Sequence, residues 1–509
     1  MAENMYSIKK SRIPSKFEAL LPIVVLLVIL IPNYIFHWGI DPHIPIVIAA
    51  AVGMMVGRLC GYSYNAMLAG MLNTINRTME AMLILMLVGC LTASWILSGT
   101  IPAIVYYGLN FLSPKIFLPV GLILCVTIGL ACGSAWTTTA TLGVAFMSMG
   151  AGLGINPAIT AGMCISGAAM GDKLSPLSDS TNLAAGVSET NLFDHINAML
   201  TTTVPSFFIA LFIYGGISFF MTSKNYDDQI ALELQQTLNE HFELSPILLI
   251  PALVIILVAF FRIPAIPGIF ISSITGFIFA LIFQKSGVID CIISAHYGYS
   301  ASTENELADA LLNRGGMNAM MWTINLAIVA IGFGGLMEKI GIVESLLGKL
   351  VHKIKGVFSL ILITMVTSLF CNLSMCDQYL ALIIPASMYK DLYDKHGLAR
   401  NLLSRTLEDM GTLWSPMIPW TSCGAHHTAM LGVSPVQYFP FAFIPLVTPV
   451  VALVAAYFGR LIFYADGTQT GLFFKRLKKR APAFAPDYSL EISLAALEKI
   501  RGEKDEEEK

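Results

Sequence analysis

A short polar run inside an otherwise apolar stretch limits how this chain can fold more than any other feature. Residues 171–182 read GDKLSPLSDSTN and bring Asp172, Lys173, Asp179, four hydroxyls and an asparagine together. A second segment, 407–423 (LEDMGTLWSPMIPWTSC), repeats the pattern of a carboxylate, a Ser-Pro pair and a Thr-bearing exit. The pairs Ser175-Pro176 and Ser415-Pro416 lie 240 positions apart. Proline removes a backbone donor and leaves a carbonyl free about one turn earlier. Each Ser-Pro pair is therefore read as the break in an interrupted helix, where carbonyls, Ser/Thr oxygens and a carboxylate form a hard-oxygen environment suited to an alkali cation. A Ser-Pro pair that merely kinks a helix is the simpler reading of one break. Two at matched positions beside carboxylates favour the functional one.

Composition sets the solvent. Of 509 residues, 56% are hydrophobic and 12% charged, which is the balance of a polytopic all-α membrane protein. The net charge of −3 suggests no nucleic-acid partner. Most of the nine cysteines fall in apolar runs, which suits buried free thiols. No cleavable signal is expected, so the first apolar run remains as the first span.

Lysine and arginine cluster at both ends (Lys9, Lys10, Arg12, Lys16; Lys475, Arg476, Lys478, Lys479, Arg480), which puts both termini in the cytoplasm. The domain reading is a cytoplasmic N-terminus (1–16), a first repeat (17–222), an acidic external connector (223–245), a second repeat (246–463) with an external insert (285–317), and a cytoplasmic tail (464–509). Residues 63–77 suit a surface helix and 99–115 an outer loop. Residues 116–151 are broken by CGSAWTTTAT (132–141), and 357–392 by NLSMCDQYLA (372–381); both read as re-entrant hairpins, with Asp377 opposite Thr137. The loop at 339–356 is rich in lysine where its counterpart holds only Lys115, as inverted repeats of about five spans each require.

Ionisable side chains in a span are costly and need a partner or a purpose. Asp377, with no nearby Lys or Arg in sequence, and Asp172 are the leading cation or proton carboxylates. Lys173 is equally well read as a structural partner of Asp172 or Asp179. Neighbours on a helix diverge by ~100°, so only one of Glu408 and Asp409 faces a cavity; Asp409 is favoured as the nearer to the break. Glu80 and Glu338, near helix ends, are read as solvated. His426 and His427 are a poor zinc signal and are assigned either a proton-relay or substrate role or a place at an interface. Trp136, Trp414 and Trp420 suit packing, with a cavity wall as the alternative. No HExxH, G-x-S-x-G or P-loop motif supports an enzyme.

With WILSGTIPAIVYYG (95–108), GSAWTTTATLG (133–143), NLFDHI (191–196) and LWSPMIPWTSCGA…LGVSP (413–435), the GDKLSPLSDSTN run resembles the NhaC family of sodium/proton antiporters, which includes sodium-coupled malate/lactate exchangers. The resemblance covers about 20–463. It implies two inverted repeats, each with a hairpin and an interrupted helix meeting at the substrate site, in a multi-pass protein of the bacterial plasma membrane. It further implies that Ser178, Thr181 and Asn182 join Asp172 and Asp179 at the cation site. With these, Thr137, Thr138, Ser175, Asp377, Asp409, Ser415 and Thr421 complete the candidate set, and Na⁺ is placed at Asp172, Asp179, Thr181, Asn182 and Asp377. The expected function is Na⁺/H⁺ antiport by alternating access, with no cofactor beyond the transported Na⁺ and H⁺. Exchange of a small carboxylate or an amino acid is the alternative, and a homodimer is compatible with the sequence. The chain departs from the family near Thr421, where Asn is usual, at His426-His427, where an aromatic and a Met are usual, and in the insert 285–317.

Overall fold

The computed structural model describes residues 11–36, 38–111, 113–221, 228–261, 263, 265–347, 356–471 and 477–478. Among them the chain is helical nearly throughout; one two-stranded ribbon pairs Thr468–Gln469 with Leu477–Lys478. The first helices are α1 (Lys16–Phe36), α2 (His43–Leu59), α3 (Tyr64–Arg77), α4 (Met79–Leu97) and α5 (Thr100–Phe111). Next come α6 (Pro114–Cys132), α7 (Ala135–Thr138), a π-turn at Thr139–Gly143 and α8 (Val144–Gly152). α9 (Pro157–Leu174), α10 (Asp179–Val187), α11 (Leu192–Met221) and α12 (Asp228–His241) follow, then α13 (Ile250–Phe260) and α14 (Ala265–Phe283). The insert holds α15 (Val288–Tyr297) and α16 (Glu306–Leu312); beyond it run α17 (Met317–Lys339), α18 (Ile342–Leu347), α19 (Val357–Met375) and α20 (Gln378–Lys395). The last are α21 (Arg400–Leu407), a π-turn at Glu408–Thr412, α22 (Ser422–Leu431), α23 (Pro435–Tyr438) and α24 (Phe443–Tyr457).

Six helices among the described residues are long and apolar enough to cross a membrane, and up to nine spans result if each of three bent pairs is one span. Large apolar side chains on the outer faces, such as Phe212 at 83% exposure and Ile282 at 62%, make sense against lipid rather than water. This is an all-α polytopic membrane protein. Polar and charged groups are instead drawn inside: Lys173, Arg405, Glu408 and Asp409 are all buried.

Three expectations change. Residues 99–115 are not a loop: Gly99, at φ +77°, turns the chain by 65° into α5. The connector 223–245 contains α12, whose Leu234 and Leu238 are buried, while Glu233 and Glu240 are exposed on the outer face of an amphipathic helix. The insert 285–317 is likewise helical over α15 and α16. The lysines at 349, 353 and 355, the first ten residues and most of the tail lie outside the described residues, as does the side chain of Glu80; Glu338 is half-buried at the end of α17.

The tightest packing near the centre is between α6 and α9. A Cβ on Gly167 would stand 2.5 Å from the Cys125 Cβ, and one on Gly171 would stand 2.4 Å from the Val126 carbonyl. Glycine lets the two backbones touch, as small residues do between membrane helices. These pairs advance together along both helices, so α6 and α9 run in the same direction.

Candidate functional site

Two hairpin tips and two helix breaks build the site. α6 ends on Gly133, in the left-handed region at φ +64°, and Ser134 then caps the next helix, its Oγ accepting from the Thr137 N–H at 3.2 Å. α19 ends the same way on Cys376, at φ +60°, and Asp377 caps α20, its Oδ1 accepting from the N–H groups of Tyr379 (2.9 Å) and Leu380 (3.0 Å). Asp377 thus occupies the position of Ser134 in the first hairpin. The 240-residue offset had set it against Thr137; the caps are 243 apart. The same 243 relates Ser178, which caps α10, to Thr421, which caps α22. The second break is three residues longer between its Ser-Pro pair and its cap, which is why the Ser-Pro pairs alone give the wrong register.

The hairpin reading of 116–151 holds as local geometry: Phe117 and Phe146, on the two legs, lie 5.7 Å apart between ring centroids. The turn, however, is confined to Gly133 and Ser134, and the threonines expected to form it are helical. In the second hairpin the Thr367 and Tyr389 hydroxyls meet at 2.8 Å. The directions of the elements follow from their contacts. α9 runs beside α6 to the first tip, and α10 leaves on the far side, beside α20: Tyr379 meets Asp179, and Lys390 reaches Glu189 at 2.5 Å. At that far end Arg400, which starts α21, also binds Glu189. α22 leaves the second break beside the first hairpin, with His427 at 3.1 Å from Thr139 and Leu431 against Gly143.

Where the tips and breaks meet is a cavity of about 80 Å³ whose lining includes Asp172, Asp179 and Asp377 together with Ser134, Trp136, Tyr379 and Ser422. Asp172 is 7% exposed, and its Oδ1 has no hydrogen-bond partner in the protein. Asp179 accepts from the Ser180 N–H at 2.8 Å and from the Tyr379 hydroxyl. Four helix N-termini contribute to this lining, through Ser134, Asp179, Asp377 and Ser422. Among the described residues no three carboxylate, His or Cys groups converge at direct metal-ligand spacing. The three aspartates therefore surround a space rather than clasp a point.

The remaining expected ligands are held by hydrogen bonds within the tips and breaks. Thr181 donates to the Lys173 carbonyl at 2.9 Å, and Asn182 donates to the carbonyls of Pro176 and Ser178 at 2.9 and 2.7 Å. Thr421 donates to the Ser415 carbonyl at 2.6 Å, and the Tyr438 hydroxyl donates to that of Pro416. The carbonyls at the breaks are thus claimed by side chains of the protein, as backbone at membrane depth must be, and the cavity's oxygens are chiefly carboxylate and hydroxyl. Ser175 Oγ accepts from the Leu177 N–H and Ser178 Oγ from that of Thr181, while the Ser415 Oγ is buried without a partner. The Thr138 hydroxyl donates to the Ser134 carbonyl at 2.9 Å; Thr137 faces a separate, apolar cavity lined by Trp95, Ile128 and Ala252.

Lys173 pairs with neither Asp172 nor Asp179. It forms an ion pair with Asp409, which also accepts from Thr202 at 3.0 Å and lies 3.7 Å from Arg405. Asp409 accordingly lies outside the cavity lining, and its neighbour Glu408 is buried beside it. His426 stacks on Trp136 with centroids 4.4 Å apart, and the two histidines bracket the Thr139 hydroxyl. They join α22 to the first hairpin. Of the three tryptophans, Trp136 lines the cavity; Trp414 and Trp420 donate to the carbonyls of Pro445 and Leu373. Sequence reasoning missed Ser134, Tyr379, Ser422 and Thr139. The first was recoverable, since Gly133-Ser134 has the pattern of a left-handed helix end followed by a new cap.

Residues 167–460 match the Na⁺/H⁺ antiporter family. The Na⁺/H⁺ antiporter NhaC of Alkalihalophilus pseudofirmus is 37% identical over 442 residues, 86% of this chain and 95% of that protein. The malate-2H⁺/Na⁺-lactate antiporter of Bacillus subtilis is 34% identical over 90% of this chain and 97% of its own length. The arginine/ornithine antiporter ArcD of Halobacterium salinarum is 32% identical over 89% of this chain and 94% of its own length.

Proposed function

The chain belongs to the Na⁺/H⁺ antiporter family, and we propose that it exchanges Na⁺ for H⁺, with Na⁺ held at the cavity lined by Asp172, Asp179 and Asp377. The observation that carries this is the meeting of three aspartates with two hairpin tips and two helix breaks in one small space. Each helix N-terminus is worth roughly +0.5 of an elementary charge, so four of them offset about two of the three carboxylates. The surplus is near −1, which suits one monovalent cation, whose release on one side is matched by uptake of a proton.

Size favours an ion over an organic solute. A volume of about 80 Å³ admits a partly hydrated Na⁺, whereas pockets for small organic ligands run to ~300 Å³ and above. Two inverted repeats, 17–222 and 246–463, are supported by the element directions: the first hairpin and the second open at opposite ends of the molecule, and each interrupted helix runs oppositely to the other. Such a pair provides alternating access to one site. The lysine-rich ends support cytoplasmic termini, and membership of an antiporter family supports a place in the cell membrane.

A second reading comes from the relatives that exchange malate for lactate and arginine for ornithine. It requires the cavity to enlarge several-fold in another conformation. Reconstituted into liposomes, the protein is expected to move protons in response to Na⁺ and not to take up labelled malate, lactate, arginine or ornithine against their unlabelled counterparts. Uptake of any of these four without Na⁺-driven proton movement would decide for the second reading.

A further inference from the structure

Glu408 lies outside the cavity lining and, among the described residues, is a buried acid with no hydrogen-bond partner of its own. It is fully buried, and neither carboxyl oxygen has a hydrogen-bond partner in the protein. The charged groups that face it are Lys173 on α9, Asp179 on α10 and Asp409 on its own turn, with Asp172 on α9 beyond; Arg405 on α21, also packed on this turn, is buried 3.7 Å from Asp409. The ammonium of Lys173 is already committed to Asp409. α19 and α24, which pack on this turn, carry no charged side chain, and those of α20 begin at Lys390, whose partner is Glu189 at the end of the molecule. The other titratable groups around the turn are the buried Cys371, Tyr389, Tyr393 and His195, the last held by Ser404.

An ionised carboxylate with no donor in a dry interior is among the costliest arrangements in a protein. The neutral acid is not, because it brings its own donor. One turn further on, the Thr412 hydroxyl oxygen is also buried without a partner. A proton on Glu408 directed at Thr412 satisfies both groups, and the Thr412 hydroxyl can turn to donate once the proton has left, so the pair serves both states. The turn that carries them, Glu408–Thr412, is a π-turn leading into the second break, and such bulges recur where a helix does functional work.

We propose that Glu408 holds the exchanged proton, at a site distinct from the three-aspartate cavity and coupled to it through the Lys173–Asp409 ion pair. The proposal rests on the Na⁺/H⁺ exchange reading and adds to it the residue that carries the proton. The connection is short: Asp172 lines the cavity, Lys173 follows it in sequence and pairs with Asp409, and Asp409 is bonded to Glu408. A cation that draws on Asp172 moves the Lys173 ammonium and so changes the field at Glu408. One proton then leaves this carboxyl for water on one side and is replaced from water on the other; no bond but O–H is broken or made.

The test uses full-length protein in proteoliposomes, comparing the wild type, Glu408→Gln, Glu408→Asp and Asp377→Asn. Two quantities are read: Na⁺-driven proton movement, and exchange of labelled for unlabelled Na⁺, which needs no proton. Glu408→Gln is expected to lose proton movement at least tenfold while Na⁺/Na⁺ exchange stays within about twofold, which also shows that it is folded. Glu408→Asp is expected to recover proton movement, and Asp377→Asn to lose both activities. Proton movement within twofold of wild type in Glu408→Gln overturns the proposal, as does loss of Na⁺/Na⁺ exchange together with it. Infrared difference spectra provide a readout independent of transport: the carbonyl band of a protonated carboxylic acid present in the wild type should vanish in Glu408→Gln, and its persistence counts against the assignment. If the wild type shows no Na⁺-driven proton movement, the exchange reading fails, while the infrared band still decides whether Glu408 holds a proton.

Discussion

Lys173 shows what single residues contribute. Its partner stands 236 positions away, and the pair is completely buried, with Thr202 and Arg405 on the same carboxylate. Breaking a buried pair from one side leaves an uncompensated charge and costs ~3–5 kcal/mol, whereas replacing both partners by apolar groups is often close to neutral. Asp409→Leu, which strands Lys173 and Arg405, is therefore expected to lower unfolding stability in detergent by about that amount, and by more than Lys173→Met, which leaves Arg405 on the carboxylate. An unchanged melting temperature in Asp409→Leu would show that the ion pair contributes nothing. At this scale the sequence is legible where charge is conspicuous. Asp172, Asp179 and Asp377 stand out because carboxylates are expensive among apolar residues. Ser134, Tyr379 and Ser422 share the same cavity and carry no such signal, since hydroxyls are common in membrane helices. Asp409 was drawn to the cavity by its nearness to the break along the chain; the partner that holds it elsewhere is visible only in three dimensions.

At the scale of elements, the prolines mark where helices break but not how the broken pieces correspond. The correspondence lies in the capping residues: Ser134 with Asp377 and Ser178 with Thr421, each 243 apart. The longer second loop hides this from an alignment on Ser-Pro. The sequence also misleads about the threonines of 137–141, which propagate the helix that Ser134 caps and donate to carbonyls one turn earlier, as Thr138 and Thr141 do. Helices α5 and α12 escaped notice because a short span after a glycine bend and an amphipathic acidic helix both resemble loops in composition. What sets the break of α9 against the first tip is the glycine contact with α6. A methyl group at Gly171 has no room beside the Val126 carbonyl, 2.4 Å away, or the Leu130 nitrogen at 2.6 Å. Overpacking of this kind costs ~1–3 kcal/mol. Gly171→Ala should lower stability by that amount and displace Asp172 from the cavity, reducing transport more than the stability loss explains. Wild-type transport in a stable Gly171→Ala protein would show that the α6–α9 approach does not position the site.

At the scale of the whole molecule, the fold class was legible because no soluble core accommodates so much apolar surface, and the outward phenylalanines of α11 bear that out. Charge asymmetry between loops suggests a direction for each half but no contact between them, and the lysines at 349, 353 and 355 that carry it lie outside the described residues. The physical claim underlying the account is that two hairpins and two interrupted helices bring three carboxylates to one cation site. Binding of labelled Na⁺ to the purified protein, compared between the wild type and Asp377→Asn as pH is lowered, tests it most directly. The account predicts about one Na⁺ per chain in the wild type, displaced as protons compete, and affinity at least tenfold weaker in Asp377→Asn, a loss of ~1.4 kcal/mol or more. Wild-type Na⁺ affinity in Asp377→Asn, with the same dependence on pH, would contradict it.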